Sequence, residues 1–162
     1  MRVIAIDPGY ERIGIAIIEK KENKKEKVLF SECFQTNKDL DFNKRLYLVG
    51  DHIRTLIQEY EPIALATEDL FFAKNTKTAL KVSESRGVIA FQASDNGIPI
   101  YEYTPNQIKV AVTGYGRASK KDIYTMVSRL VSLSQAIKMD DEIDAIAIGL
   151  TFFASYKQKS LR

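Results

Sequence analysis

Residues 2–20 read RVIAIDPGYERIGIAIIEK, two apolar, β-branched runs separated by a short polar stretch that holds Pro8 and Gly9. Arg2–Ile6 predicts a buried strand, and Pro8-Gly9 predicts a tight turn after it. Arg12–Lys20 predicts a second strand, a polar loop of Lys, Glu and Asn follows to Lys27, and Val28–Thr36 predicts a third strand. No crossover helix fits between these strands, so they should form an antiparallel meander. From Asp41 to Tyr60 the period changes. Phe42, Leu46, Val49, Ile53, Leu56, Ile57 and Tyr60 recur at three- and four-residue steps, the pattern of an amphipathic helix. Ile63–Thr67 is then a fourth strand, reached by a crossover and therefore parallel to a neighbour. A helix over Thr76–Ser94 ends at Asn96-Gly97, and Ile98–Tyr103 is a fifth strand. Thr104-Pro105-Asn106-Gln107 opens another helix with a capping box, and Ser119-Lys120-Lys121-Asp122 opens the next in the same style. A last helix runs from about Asp141 to Tyr156. The expected architecture is α/β: a five-stranded mixed sheet in the order βββ-α-β-α-β-ααα, flanked by helices, with residues 1–162 as a single domain.

Four acids stand where carboxylates are costly. Asp7 ends the first strand, Glu68 ends the fourth, and Asp141 and Asp144 open the apolar segment Ile143–Ala154. A buried carboxylate costs several kcal/mol, on the order of the ion's desolvation, unless it is paired or holds a metal. Asp7 and Glu68 fall at the C-terminal ends of strands, where open α/β sheets place ligands. Asp141 and Asp144 share one face of a first helical turn and gain from its macrodipole. Hard oxygen donors of this kind suit Mg²⁺, with one or two ions per subunit and Mn²⁺ as the alternative. Two such ions can serve an in-line phosphoryl displacement. Singly, each acid also has a structural role open to it: Asp7 as a turn residue, Asp141 as an N-cap, Glu68 as an exposed strand end. Asp144 is hardest to explain that way, because it interrupts an apolar face between Ile143 and Ile146.

The totals set the frame. At 162 residues with 45% hydrophobic and 28% charged content, the chain has the composition of an ordinary globular protein. One cysteine, Cys33, cannot form an internal disulfide. No signal peptide or membrane span is expected, since Asp7 interrupts the opening apolar run and the longest apolar segment falls short of about 20 residues. A cytoplasmic location follows as the expectation. Net charge is +3, and Lys74, Lys77, Lys81, Arg86, Lys109, Arg117, Lys120 and Lys121 crowd positions 74–121. They form either a phosphate-binding rim or solvated helix faces. His52, the one histidine, falls within a helix and Cys33 has no evident partner, so no Ser/His/Asp or Cys/His arrangement competes.

Taken together, IDPGYERIG, ATEDLFFAKNTKTALKVSESRG, YEYTPNQIKVAVTGYGRASK and DDEIDAIAIG resemble the RuvC family of Holliday-junction resolvases, within the RNase H-like superfamily. The resemblance covers nearly the whole chain and implies an RNase H-like fold. It also implies a structure-specific endonuclease that resolves four-way DNA junctions by symmetric, metal-dependent phosphodiester hydrolysis in recombination and repair. By that resemblance Asp7, Glu68, Asp141 and Asp144 match the family's metal-binding catalytic acids, and Asp141 is preferred to its neighbour Asp140 by its spacing from Asp144. Lys109 and Lys120 match basic residues near the scissile phosphate, and Phe71 matches an aromatic that touches bases near the crossover. Lys74, Lys77, Lys81, Arg86, Arg117 and Lys121 are the further candidate DNA contacts. The resemblance implies a homodimer and partnership with the RuvA-RuvB branch-migration complex. The nearest alternative is an RNase H-like nuclease of the YqgF type, which acts on ribosomal RNA precursors and shares the opening motif. An actin-like nucleotide-binding protein would need a second phosphate-binding domain for which the chain has no room. A junction-binding protein without catalysis would not need all four acids.

Overall fold

The computed structural model describes residues 1–69, 76–133, 137 and 139–156. Among these described residues six strands form one sheet: β1 (Arg2–Asp7), β2 (Arg12–Glu19), β3 (Lys27–Gln35), β4 (Leu65–Glu68), β5 (Ile100–Tyr103) and β6 (Ser132–Leu133). The helices are α1 (Phe42–Tyr60), α2 (Thr76–Asp95), α3 (Pro105–Thr113), α4 (Lys120–Leu130) and α5 (Asp140–Ser155). The strand order is β5-β4-β1-β2-β3-β6. β1, β2 and β3 make the expected antiparallel meander, and β4 pairs parallel to both β1 and β5. The strand the sequence did not announce is β6, which pairs parallel to β3. At two residues it is too short to carry a period.

The two sheet faces are built from residues of different size. Strand side chains alternate between faces, and along β1 this separates Val3 and Ala5 from Ile4 and Ile6. Ile4, Ile6, Ile13, Ile15, Ile17 and Leu65 cluster with Val49, Ile53, Leu56 and Ile57 of α1 and Ile89 and Ala93 of α2. The other face carries Val3, Ala5, Ala16, Ile18 and Ala66 under Ala145, Ile146, Ile148 and Phe152 of α5. Small side chains there let α5 lie close. Gly149 marks the contact: a Cβ at this position would meet Ile18 Cδ1 at 2.5 Å and Ala5 Cβ at 3.2 Å. α5 therefore runs buried across β1 and β2.

Helix starts follow their capping chemistry. In α3, Gln107 N donates to Thr104 Oγ1 (3.3 Å) while Thr104 N donates to Gln107 Oε1 (2.8 Å). In α4, Asp122 N donates to Ser119 Oγ (3.2 Å) and Ser119 N donates to Asp122 Oδ2 (2.8 Å). The hydrogen bonds from Ser119 hold the Asp122 carboxyl below its ordinary range. The caps also fix where two candidate residues stand, because α3 carries Lys109 and α4 begins at Lys120. No helix among the described residues is long and apolar enough to cross a membrane.

Candidate active site

The alternation that sorts the core also aims the acids. Asp7 follows Val3 and Ala5 on the α5 face of β1, and Glu68 follows Ala66 on the same face of β4. β1 and β4 are adjacent and parallel, paired up to Ile6 and Thr67, so the two carboxylates leave neighbouring strand ends on one side. α5 supplies Asp144 from above. Asp7, Glu68 and Asp144 line one cavity of about 470 Å³ together with Lys109 and Lys120, walled by Ile108, Ala118, Ile123 and Ile148.

The charges in this cavity act on one another. Burial and the charges of Asp144, Glu68 and Asp141 push the Asp7 carboxyl up to about 7, against a partial opposing pull from Lys120. Burial and Asp144 raise Glu68, while Lys120 and Lys109 lower it. Burial likewise raises Asp144, even though Lys120 Nζ lies 3.5 Å from its Oδ2. Three carboxylates raised together are a site short of positive charge.

Asp141 is placed differently. Its backbone packs against β2, where a Cβ on Gly14 would fall 2.1 Å from the Asp141 carbonyl oxygen and 3.2 Å from Asp7 Cβ. Its side chain accepts a hydrogen bond from the Arg12 guanidinium instead of lining the cavity. Among the described residues no three His, Cys, Asp or Glu side chains are grouped tightly enough to hold an ion as they stand. The donor set is nonetheless that of a hard cation: carboxylate oxygens, uncompensated and mutually repelling. Asp140 is exposed and adds to the negative charge felt by Asp144.

The remaining candidates scatter. Lys121 borders a second pocket with Tyr124, Asp140 and Asp144, and Arg117 is exposed before α4. Lys81 lies elsewhere, its Nζ 5.2 Å and 5.5 Å from the ring centres of Tyr10 and Phe42. Arg86 pairs with Glu102 beside a separate cleft. Phe71 and Lys74 lie outside the described residues, and of Lys77 only the backbone, in α2, is described. His52 stacks on Phe34 with ring centres 4.3 Å apart and contacts Glu32, which accounts for it structurally.

Two residues near the acids were not singled out from the sequence. Arg12 shares the α5 face of β2 with Gly14, Ala16 and Ile18, while the Cys33 thiol accepts from Gln35 Nε2 (3.6 Å), the partner the sequence did not suggest. Glu142 is buried and accepts from Ser31 Oγ (2.6 Å) and Met139 N (3.0 Å), fastening the first turn of α5 to β3. The alternation of β2 and β3 was the available signal for Arg12 and Ser31, since Ser31 stands opposite Ala16.

The model of the family "Crossover junction endodeoxyribonuclease RuvC" matches residues 3–152. The chain belongs to the RuvC family. The RuvC of Fusobacterium nucleatum is 43% identical over 98% of this chain and 83% of its own length. That of Thermosipho melanesiensis is 42% identical over 92% of this chain and 94% of its own. Among solved structures, T. thermophilus RuvC in complex with a Holliday junction substrate superposes with a TM-score of 0.88 and 30% identity, covering 94% of this chain and 93% of that one. The yeast mitochondrial resolvase Ydc2 shares the fold, with a TM-score of 0.71 at 13% identity, over 94% of this chain and 78% of its own. Membership in RuvC, a family of junction endonucleases, favours that activity over the YqgF alternative, and the RNase H-like architecture expected from the sequence agrees with these relatives.

Proposed function

We propose that this chain resolves four-way DNA junctions by metal-dependent hydrolysis of a phosphodiester, with residues 1–162 acting as one nuclease domain. The observation that carries the proposal is the single cavity in which Asp7, Glu68 and Asp144 face Lys109 and Lys120. Asp7, Glu68, Asp144 and Asp141 are the residues that would hold a divalent cation, one or two Mg²⁺ per subunit or Mn²⁺ in its place. The ion would supply Lewis-acid polarisation of the phosphate and a nucleophile at neutral pH. The chain's own contribution is positional. α5 and the strand ends fix the carboxylates, while Lys109 and Lys120 bring positive charge to where the phosphate's charge develops.

The basic residues divide by distance from the cavity. Lys121, in the first turn of α4, and Arg117, just before that helix, serve as phosphate contacts for the strand being cut. Lys81 and Arg86, with Lys74, Lys77 and Phe71, are assigned to the junction arms and crossover, positioning the DNA in a salt-sensitive way. A homodimer would set two such sites against the two-fold symmetry of a junction. Tyr47 on α1 and Leu80 and Phe91 on α2 support it, since these large apolar side chains are 60–64% exposed. Cytoplasmic action alongside the RuvA-RuvB complex belongs to the same proposal. The direct test is cleavage of a synthetic mobile junction with Mg²⁺ or with EDTA: cutting that continues unchanged in EDTA refutes the metal requirement.

A further inference from the structure

Three of the four acids have a protein cation close enough to act on them strongly, and Lys120 also acts on Asp7 and Glu68. Lys120 stands beside Asp144, Lys109 acts on Glu68, and Arg12 holds Asp141. Among the described residues Asp7 has no ion pair of its own. The Arg12 pair differs from the lysine contacts in where it points. Lys109 and Lys120 line the cavity, so their charge faces the site. Arg12 stands at the start of β2 outside the cavity lining, and Asp141, alone of the four acids, is outside it too. The backbone at Asp141 is seated against Gly14, with Asp7 Cβ close by, so the Asp141 charge still acts on Asp7 and Asp144, and it is the pairing with Arg12 that keeps its carboxylate out of the cavity lining.

We infer that Arg12 is a positioning residue that holds the Asp141 carboxylate off the cavity wall and competes with the divalent cation for it. This rests on the metal site proposed above. A guanidinium engages carboxylate lone pairs in a planar fork, and those are the lone pairs an oxygen-seeking cation must use. The exchange is feasible because the Arg12 side chain is 47% exposed and can return to water, where its pairing is screened. The consequence is a site whose fourth ligand is held in reserve: three carboxylates meet the cation first, and Asp141 joins only when the cation outcompetes Arg12.

The test is a Mn²⁺ titration of the full chain without DNA, following free Mn²⁺ by electron paramagnetic resonance. Wild type, Arg12→Ala, Arg12→Gln, Asp141→Asn and the Arg12→Ala/Asp141→Asn pair are compared. Both Arg12 variants should bind Mn²⁺ about two- to tenfold more tightly, the worth of a partly exposed ion pair. In the Asp141→Asn background, Arg12→Ala should give no gain, because nothing remains to be withheld. Unchanged or weaker binding in the Arg12 variants overturns the inference. So does a gain that survives Asp141→Asn, which would make Arg12 a general source of positive field. An Asp7→Asn control separates the two levels. Wild-type binding that Asp7→Asn leaves intact refutes the metal site itself and takes the inference with it. Binding lost in Asp7→Asn but indifferent to Arg12 refutes the inference alone.

Discussion

Replacing Asp7 with Asn should stabilise the protein when no divalent cation is present. Burial and three neighbouring acids push the Asp7 carboxyl from 3.8 up to about 7. A carboxyl raised on folding contributes stability that is fully present below its unfolded value near 3.8 and is lost as pH rises through about 7. At about 1.4 kcal/mol per unit, a rise of some three units costs the folded wild type roughly 4 kcal/mol near pH 8. Near pH 4 the same relation leaves a cost of about 1 kcal/mol or less, because the folded carboxyl is then protonated and the unfolded one nearly half so. Asn keeps the shape of the neutral acid and never ionises, so it escapes the cost at every pH. Glu68 and Asp144 also lose a like-charged neighbour. Urea denaturation in EDTA, for wild type and Asp7→Asn from about pH 4 to pH 8, reads this directly. The variant's advantage should grow with pH by a few kcal/mol, most steeply between about pH 4 and pH 7. A variant equal to or less stable than wild type near pH 8 would show that Asp7 is already compensated, and the picture of a charge-starved site would fail.

Lys120→Met should move the acid limb of the pH–rate profile for junction cleavage to higher pH, because Lys120 lowers Asp7, Glu68 and Asp144 together; an unmoved limb would exclude it from the site's electrostatics. Glu142→Ala leaves Ser31 and Met139 N without the buried carboxylate and should cost about 1–3 kcal/mol in urea denaturation. Gly149→Val forces side-chain bulk between α5 and the sheet at Ile18 and Ala5, with an expected loss of about 1–3 kcal/mol in the same assay. Thr104→Ala removes the α3 cap and should cost about 1 kcal/mol, with junction cleavage reduced only in so far as Lys109 loses its placement.

Much of the site was legible because strand alternation and helix capping are local. Val3-Ala5-Asp7 and Ala66-Glu68 put both strand-end acids on the side of the sheet with the smaller residues, and a small-residue face is where a helix can lie close. The two capping boxes announced α3 and α4 from four residues each, and with them the positions of Lys109 and Lys120. What the sequence did not show depends on contacts across the chain. Arg12 and Asp141 are 129 positions apart, and nothing near either residue signals the other. Ser31 and Glu142, 111 positions apart, are the same case. β6 escaped because two residues cannot display a period, and its pairing with β3 is a tertiary event. The spacing to Asp144 singles out Asp141 over Asp140, but spacing places a backbone on a helical face and does not show the Arg12 pairing that its side chain makes.

Cleavage of a mobile four-way junction by wild type and Asp7→Asn, each with Mg²⁺ and with EDTA, tests the central claim most directly when junction binding at low salt is measured alongside. Wild type should cut in Mg²⁺ only, while Asp7→Asn should bind the junction as tightly and cut neither with the ion nor without it. Cutting by Asp7→Asn at the wild-type rate, or by wild type in EDTA, would contradict a carboxylate-held cation as the source of catalysis. Loss of binding along with cutting would make Asp7 a structural residue instead.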